Sequence, residues 1–111
     1  MRTLKFIVDG LVMKKNPECN FNGLIQGTKG YLQAEFSFSP EWKDCIKVAA
    51  FYSCNGENET ECEPQILKDG NKCTIPDDAL KGRKFKVQAF GKNKDLKLLT
   101  TTVTVVQDSV K

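Results

Sequence analysis

Five cysteines, fourteen carboxylates and no histidine set what chemistry this 111-residue sequence can carry. Without imidazole there is no Ser-His or Cys-His nucleophile pair, no His-ligated zinc or haem and no imidazole acid–base step. Carboxylate, lysine and thiolate chemistry remain, but no nucleophile stands beside a base, so the chain reads as a non-enzyme without a cofactor. Cys19, Cys45, Cys54, Cys62 and Cys73 contain no C-x-x-C pair, which removes the zinc ribbon and the thioredoxin-type site. Their spacing fits no familiar metal knuckle. They read as reduced thiols, some buried as small hydrophobes, with a Cys54–Cys62 bridge left open.

Two charged runs stand out. In Cys54-Asn-Gly-Glu-Asn-Glu-Thr-Glu-Cys-Glu63, four glutamates (Glu57, Glu59, Glu61 and Glu63) recur with period two. An extended chain sets all four on one side, where they repel and call for solvent, a cation or a basic partner. Calcium takes such oxygen ligands, but the ligand order of an EF-hand is missing and no metal is assigned. Lys81-Gly-Arg-Lys-Phe-Lys86 is opposite in sign. Nucleic-acid binding calls for aromatics interleaved on the lysine face, and none are there. A net charge of +3 adds no case for it. Lys81, Arg83, Lys84 and Lys86 therefore read as a solvated face or a docking surface. Acidic loop to basic strand between neighbouring copies is the contact these runs suggest, because complementary charge steers docking and fixes register. Gly23–Gly30 lacks the Gly-Lys-Ser/Thr order of a phosphate loop and has no helix after it.

The elements that position these residues are strands. Asp9-Gly10, Asn22-Gly23, Asn55-Gly56, Asp69-Gly70 and Gly91 punctuate the chain as turn signals. Between them apolar residues alternate: Leu4, Phe6, Val8; Leu32, Ala34, Phe36, Phe38; Ile46, Val48, Ala50; Phe85, Val87, Ala89. Leu98–Val106 is a threonine- and valine-rich β-former. Pro76–Leu80 and Pro40–Asp44 each suggest one helical turn. The expectation is all-β: a single domain over residues 1–111, an immunoglobulin-like β-sandwich of about seven short antiparallel strands with one or two helical turns. Phe36, Phe38, Val48, Phe85, Val87 and Val103 are its expected core. Trp42, the one tryptophan, is read first as a cap on one end of that core and second as a stacking or partner-anchoring residue.

The segment Phe36-Ser-Phe-Ser-Pro-Glu-Trp42, followed by Lys47-x-Ala49-x-Phe51, resembles small β-rich modules near the start of tail-fibre, baseplate and head-fibre proteins of phages infecting Firmicutes. Lys5-Phe-Ile-Val-Asp-Gly10, Asn71-Lys-Cys-Thr-Ile-Pro76 and Leu99-Thr-Thr-Thr-Val103 extend the likeness over most of the chain. The resemblance implies a structural module of the virion that docks onto other virion proteins, with homo-oligomers among the expected assemblies. A small inhibitor of a host intracellular protein and a carbohydrate-binding module are the alternatives. The N-terminus lacks the apolar core and cleavage site of a secretory signal, and no apolar run nears the 18 or so residues of a membrane span. Met1 is read as a true start, the protein as made in a host cytoplasm and carried in the virion, without membrane or nucleic-acid partners.

Overall fold

The computed structural model describes residues 1–109. Its first strands follow the sequence stripes. β1 (Arg2–Asp9) turns at Gly10, whose φ of 61° an Asp-Gly pair supplies without strain, and returns as β2 (Val12–Lys15). The chain then crosses over through residues 16–31 to β3 (Leu32–Phe38), which runs parallel to β1, Arg2 beside Leu32 and Val8 beside Phe38. An all-antiparallel fold was the expectation. The parallel pair arises because β2 occupies one edge of β1, and the crossover is long enough to carry the chain back to the start of the other. The Arg2 guanidinium ties that crossover down, donating to the carbonyls of Asn20, Asn22 and Gly23. β7 (Lys72–Thr74) completes this sheet on the far side of β3.

The second sheet is built on two ten-residue strands, β4 (Ile46–Asn55) and β8 (Lys84–Asn93), paired antiparallel from Ile46–Lys92 to Cys54–Lys84. β5 (Asn58–Glu61) and β6 (Gln65–Ile66) lie end to end along the free edge of β4. β9 (Leu96–Leu99) and β10 (Val103–Val106) do the same along β8. Each couple is one strand interrupted by a one-residue slip. Tyr52 to Ala49 is three steps while their partners Glu61 to Gln65 are four. Val87 to Phe90 is three steps while Val103 to Leu99 is four. Such bulges bend and twist an edge, and they explain why Leu98–Val106 is two strands rather than one. With two- and three-residue strands also present, the described residues form ten strands where about seven were expected. Single 3-10 turns stand at η1 (Pro40–Trp42) and η2 (Asp77–Lys81), beside the two prolines that signalled them.

The two sheets face each other as a β-sandwich. Leu4, Phe6, Val8, Leu32, Ala34 and Phe36 from one meet Ala49, Phe51, Phe85, Val87, Ala89 and Val105 from the other, all buried. An aromatic file runs through this core: Phe21, Phe6, Phe36, Phe38 and Trp42, with successive ring centroids 4.9–6.0 Å apart. Phe36, Phe85, Val87 and Val103 lie in the core as expected, and Phe38 packs half-buried against it.

Val48 does not. On β4 the core-facing parity is Lys47, Ala49, Phe51 and Ser53, paired with Gly91, Ala89, Val87 and Phe85, so Ile46, Val48 and Ala50 point outward. The strand is apolar on both parities, and a one-residue choice swaps every side chain between faces. Phe51 and Ala49 decide it, while Lys47 lies over the end of the core with its ammonium 5.5 Å from the Phe38 ring. Gly91, read as a turn, sits within β8. A Cβ there would lie 2.6 Å from Trp42 Cζ3, so the missing side chain is the space the indole fills.

Candidate functional site

Because Ile46, Val48, Ala50, Tyr52 and Cys54 point away from the core, the outer face of the larger sheet carries the molecule's most distinctive chemistry, in two zones. At one end, Glu61, Tyr52, Lys86 and Thr104 form one row across four strands, and Glu59, Cys54, Lys84 and Val106 the next. Here the acidic and basic runs meet inside one chain, with β4 between them. Lys86 Nζ donates to Glu59 Oε2 at 2.7 Å. The contact that the sequence suggested between copies is therefore made, for this pair, within the subunit. That hydrogen bond, with the attraction of Glu59, raises the Lys86 pKa. The Tyr52 hydroxyl is pushed up first by partial burial and then by Glu61 and Glu59.

The structure divides the remaining charged residues. Glu57, Glu61 and Glu63 are exposed and, among the described residues, make no ion pair. Lys81 belongs to η2, where it bonds Asp78 at 2.9 Å and has its pKa raised by that contact. Arg83 and Lys84 are exposed. Cys54, Glu57, Glu59, Lys84 and Lys86 border a polar cleft of about 180 Å³.

Trp42 is fully buried, and its indole N–H donates to the Gly10 carbonyl at 2.8 Å. A ring enclosed in the core has no face left for a sugar or a partner, so Trp42 leaves the set of interaction residues and holds the end of the sandwich. All five thiols are free. Cys54 stands opposite Glu59 on the outer face, while Cys62, two residues outside the β5 ladder partner Thr60, is buried in the core cluster. The two sulfurs thus sit on different faces of the hairpin that a disulfide would have to cross. Burial raises the Cys62 pKa and pushes that of Cys73 up to about 12, so both are held as inert thiols. Among the described residues no three Cys, Asp or Glu side chains come close enough to hold a metal ion.

The second zone is one that sequence reasoning missed. Ile66, Val48, Phe90 and Leu99 stand in register across β6, β4, β8 and β9, and the neighbouring row is Ile46, Lys92 and Lys97. Ile46 is 68% exposed, Ile66 59% and Leu99 43%. A shallow depression of about 270 Å³ lies between the two rows, lined by Ile46, Val48, Phe90, Gly91, Lys92 and Lys97. The available signal was parity: Phe90 and Val48 are out of phase with the core stripes Phe85–Val87–Ala89 and Ala49–Phe51. Comparison with family models, curated proteins and solved structures finds no match to this chain.

Proposed function

We propose that the chain is a docking module of a phage virion, which attaches to other virion proteins by protein–protein contact and makes or breaks no covalent bond. The observation that carries the docking role is the outer face of the larger sheet, where a contiguous, partly exposed apolar row lies on the same face as an ordered charged zone. Single exposed aliphatics are ordinary on a protein surface, but here Ile66 and Leu99 are exposed at the ends of a row whose middle, Val48 and Phe90, is half-buried, and such a contiguous patch is the kind that marks an interaction site. What supports the virion setting is the resemblance, whose motifs run from β1 to the start of β10 and fall on strands and their flanking turns. The carbohydrate-binding alternative rested on Trp42 and loses that support with its burial.

Mass spectrometry of gradient-purified particles, set against the cytosol of infected cells, tests the reading. A fixed copy number per particle is the expected result. Recovery from the cytosol alone overturns it and favours the inhibitor of a host protein. Sedimentation at low and high salt, with the four glutamates of the insert changed to glutamine, reads the homo-oligomer separately. Charge-steered self-association weakens as the Debye length falls from about 10 Å at 0.1 M to about 3 Å at 1 M salt.

A further inference from the structure

We infer that the apolar row on the outer face of the larger sheet is a receptor for a short acidic–apolar protein segment: two or three large aliphatic or aromatic side chains flanked by carboxylates. The inference rests on the docking-module reading and names the partner chemistry of that site. Three observations select this occupant.

The first is charge. The depression among Ile46, Val48 and Phe90 is bordered by Lys92 and Lys97 and by no carboxylate. An apolar floor with a lysine rim complements a segment whose ends are acidic, since opposite potentials set the specificity of an encounter. A second copy of the chain is a poor match, because a two-fold contact centred on the row brings the lysines of both copies into one rim.

The second is area. Four strands about 4.8 Å apart and two rows about 7 Å apart give a patch on the order of 300 Å². A stable protein–protein interface buries about 800 Å² on each partner. The patch suits a single short segment, held on the order of 0.1 mM in isolation and more tightly when many copies are arrayed.

The third is shape. The row lies on strands and not on a protruding loop, and a hollow opens between its middle, Val48 and Phe90, and the neighbouring Ile46, Lys92 and Lys97. A hollow of about 270 Å³ takes one or two side chains from an extended segment. An anionic membrane shares the lysine preference but offers no side chain to fill the hollow.

The test is an amide-shift titration of the isotopically labelled full chain with synthetic peptides of about twelve residues. One probe has a Leu-Thr-Phe-Thr-Ile centre with paired glutamates at each end; the control has lysines in their place. The expected result is shifts centred on residues 46–48, 66, 90–92 and 97–99, with binding of the acidic probe roughly tenfold tighter than of the control and weakened by salt. Ile46→Asp should abolish the response while leaving the melting temperature in place, because Ile46 is 68% exposed. Lys92→Glu with Lys97→Glu should reverse the preference toward the lysine probe, a result that loss of folding cannot mimic. Equal response to both probes, no response to either, or binding only to phosphatidylglycerol vesicles overturns the inference, as does self-association that buries the same residues without peptide. Particle mass spectrometry keeps the two readings apart. Particles that contain the chain, with a silent patch, sink this inference and leave the module. A responsive patch on a chain missing from particles does the reverse.

Discussion

Replacing Gly91 with alanine probes the contact that closes one end of the sandwich. A Cβ built on Gly91 lies 2.6 Å from Trp42 Cζ3 and 2.7 Å from Cε3, well inside the separation that real carbon atoms keep. The indole has little room to retreat. Its centroid is 4.9 Å from that of Phe38, its N–H is committed to the Gly10 carbonyl, and it is wholly buried. Overpacking of this kind costs roughly 1–3 kcal/mol. At about 2.1 cal/mol/K per residue, the unfolding entropy of a chain this size is about 0.23 kcal/mol/K, so the melting temperature should fall by about 4–13 °C. The assay is thermal unfolding followed by circular dichroism, on Gly91→Ala, Trp42→Leu and the double variant. Trp42→Leu alone should destabilise through lost volume. In the double variant the alanine methyl occupies space the indole has left, so the two losses should add to less than their sum, with a coupling of at least about 1 kcal/mol. Strict additivity, or a Gly91→Ala variant that melts with the parent, would refute the placement of the indole against β8.

The face assignment of β4 is checked by a pair of substitutions. Phe51→Ala should cost roughly 3–5 kcal/mol, whereas Val48→Thr, on the outer face, should stay within about 1 kcal/mol; chemical denaturation that ranks them the other way reverses the strand. A reducing agent should leave the melting temperature within a few degrees, because all five thiols are free, and a large drop would reveal a bridge. Alkaline stability should fall for a definite reason. The Cys73 thiol has its pKa raised by burial to about 12, so its contribution is complete below the unfolded value near 8.5 and is lost as pH rises toward 12, at up to about 1.4 kcal/mol per pH unit. Cys73→Ala should flatten that slope in denaturation midpoints measured from pH 8 to pH 11, and an unchanged slope would assign it elsewhere. Glu59→Gln should move the melting temperature by no more than roughly 4 °C, since the pair with Lys86 is solvent-exposed and contributes about 0–1 kcal/mol.

The sandwich was legible where one parity of a strand is apolar and the other polar. Leu32-Ala34-Phe36 and Phe85-Val87-Ala89 alternate with polar neighbours, Leu4-Phe6-Val8 does so except at Ile7, and each stripe is buried. The 3-10 turns were legible from Pro40 and Pro76, and the hairpins from Asp9-Gly10 and Asn55-Gly56, where the glycines take positive φ. β4 was not. Ile46-Lys-Val-Ala-Ala-Phe51 offers apolar residues in both phases, and only the partner sheet selects one. The parallel pairing of β1 with β3 was hidden for a related reason: nothing local in either strand records which neighbour it takes. The charged zone was half legible. Period two correctly put Glu59 and Glu61 on one face, but that Lys86 lies on that same face, across β4, depends on the β4–β8 register.

Misreading β4 and missing the apolar row are the same event. Val48, expected in the core, stands half-buried in the middle of that row, beside the exposed Ile46 and Ile66. The outer face of the other sheet is more polar: Lys5, Glu35 and Lys72 form one row there, and Thr3, Gln33 and Thr74 the next. β-propensity does not account for Ile46, Ile66, Phe90 and Leu99, because threonine would serve an exposed strand position equally well, as Thr74 and Thr104 do. The free edges do not invite pairing either. β5 carries Glu59 and Glu61, and the slips beside Cys62–Pro64 and Thr100–Thr102 bend the two long edges out of line. Association by strand addition is thus discouraged at the rim while the face remains open. On the docking reading proposed above, a partner would be steered onto the apolar row, where side-chain shape and carboxylates can be selected, and away from backbone pairing that accepts any extended chain.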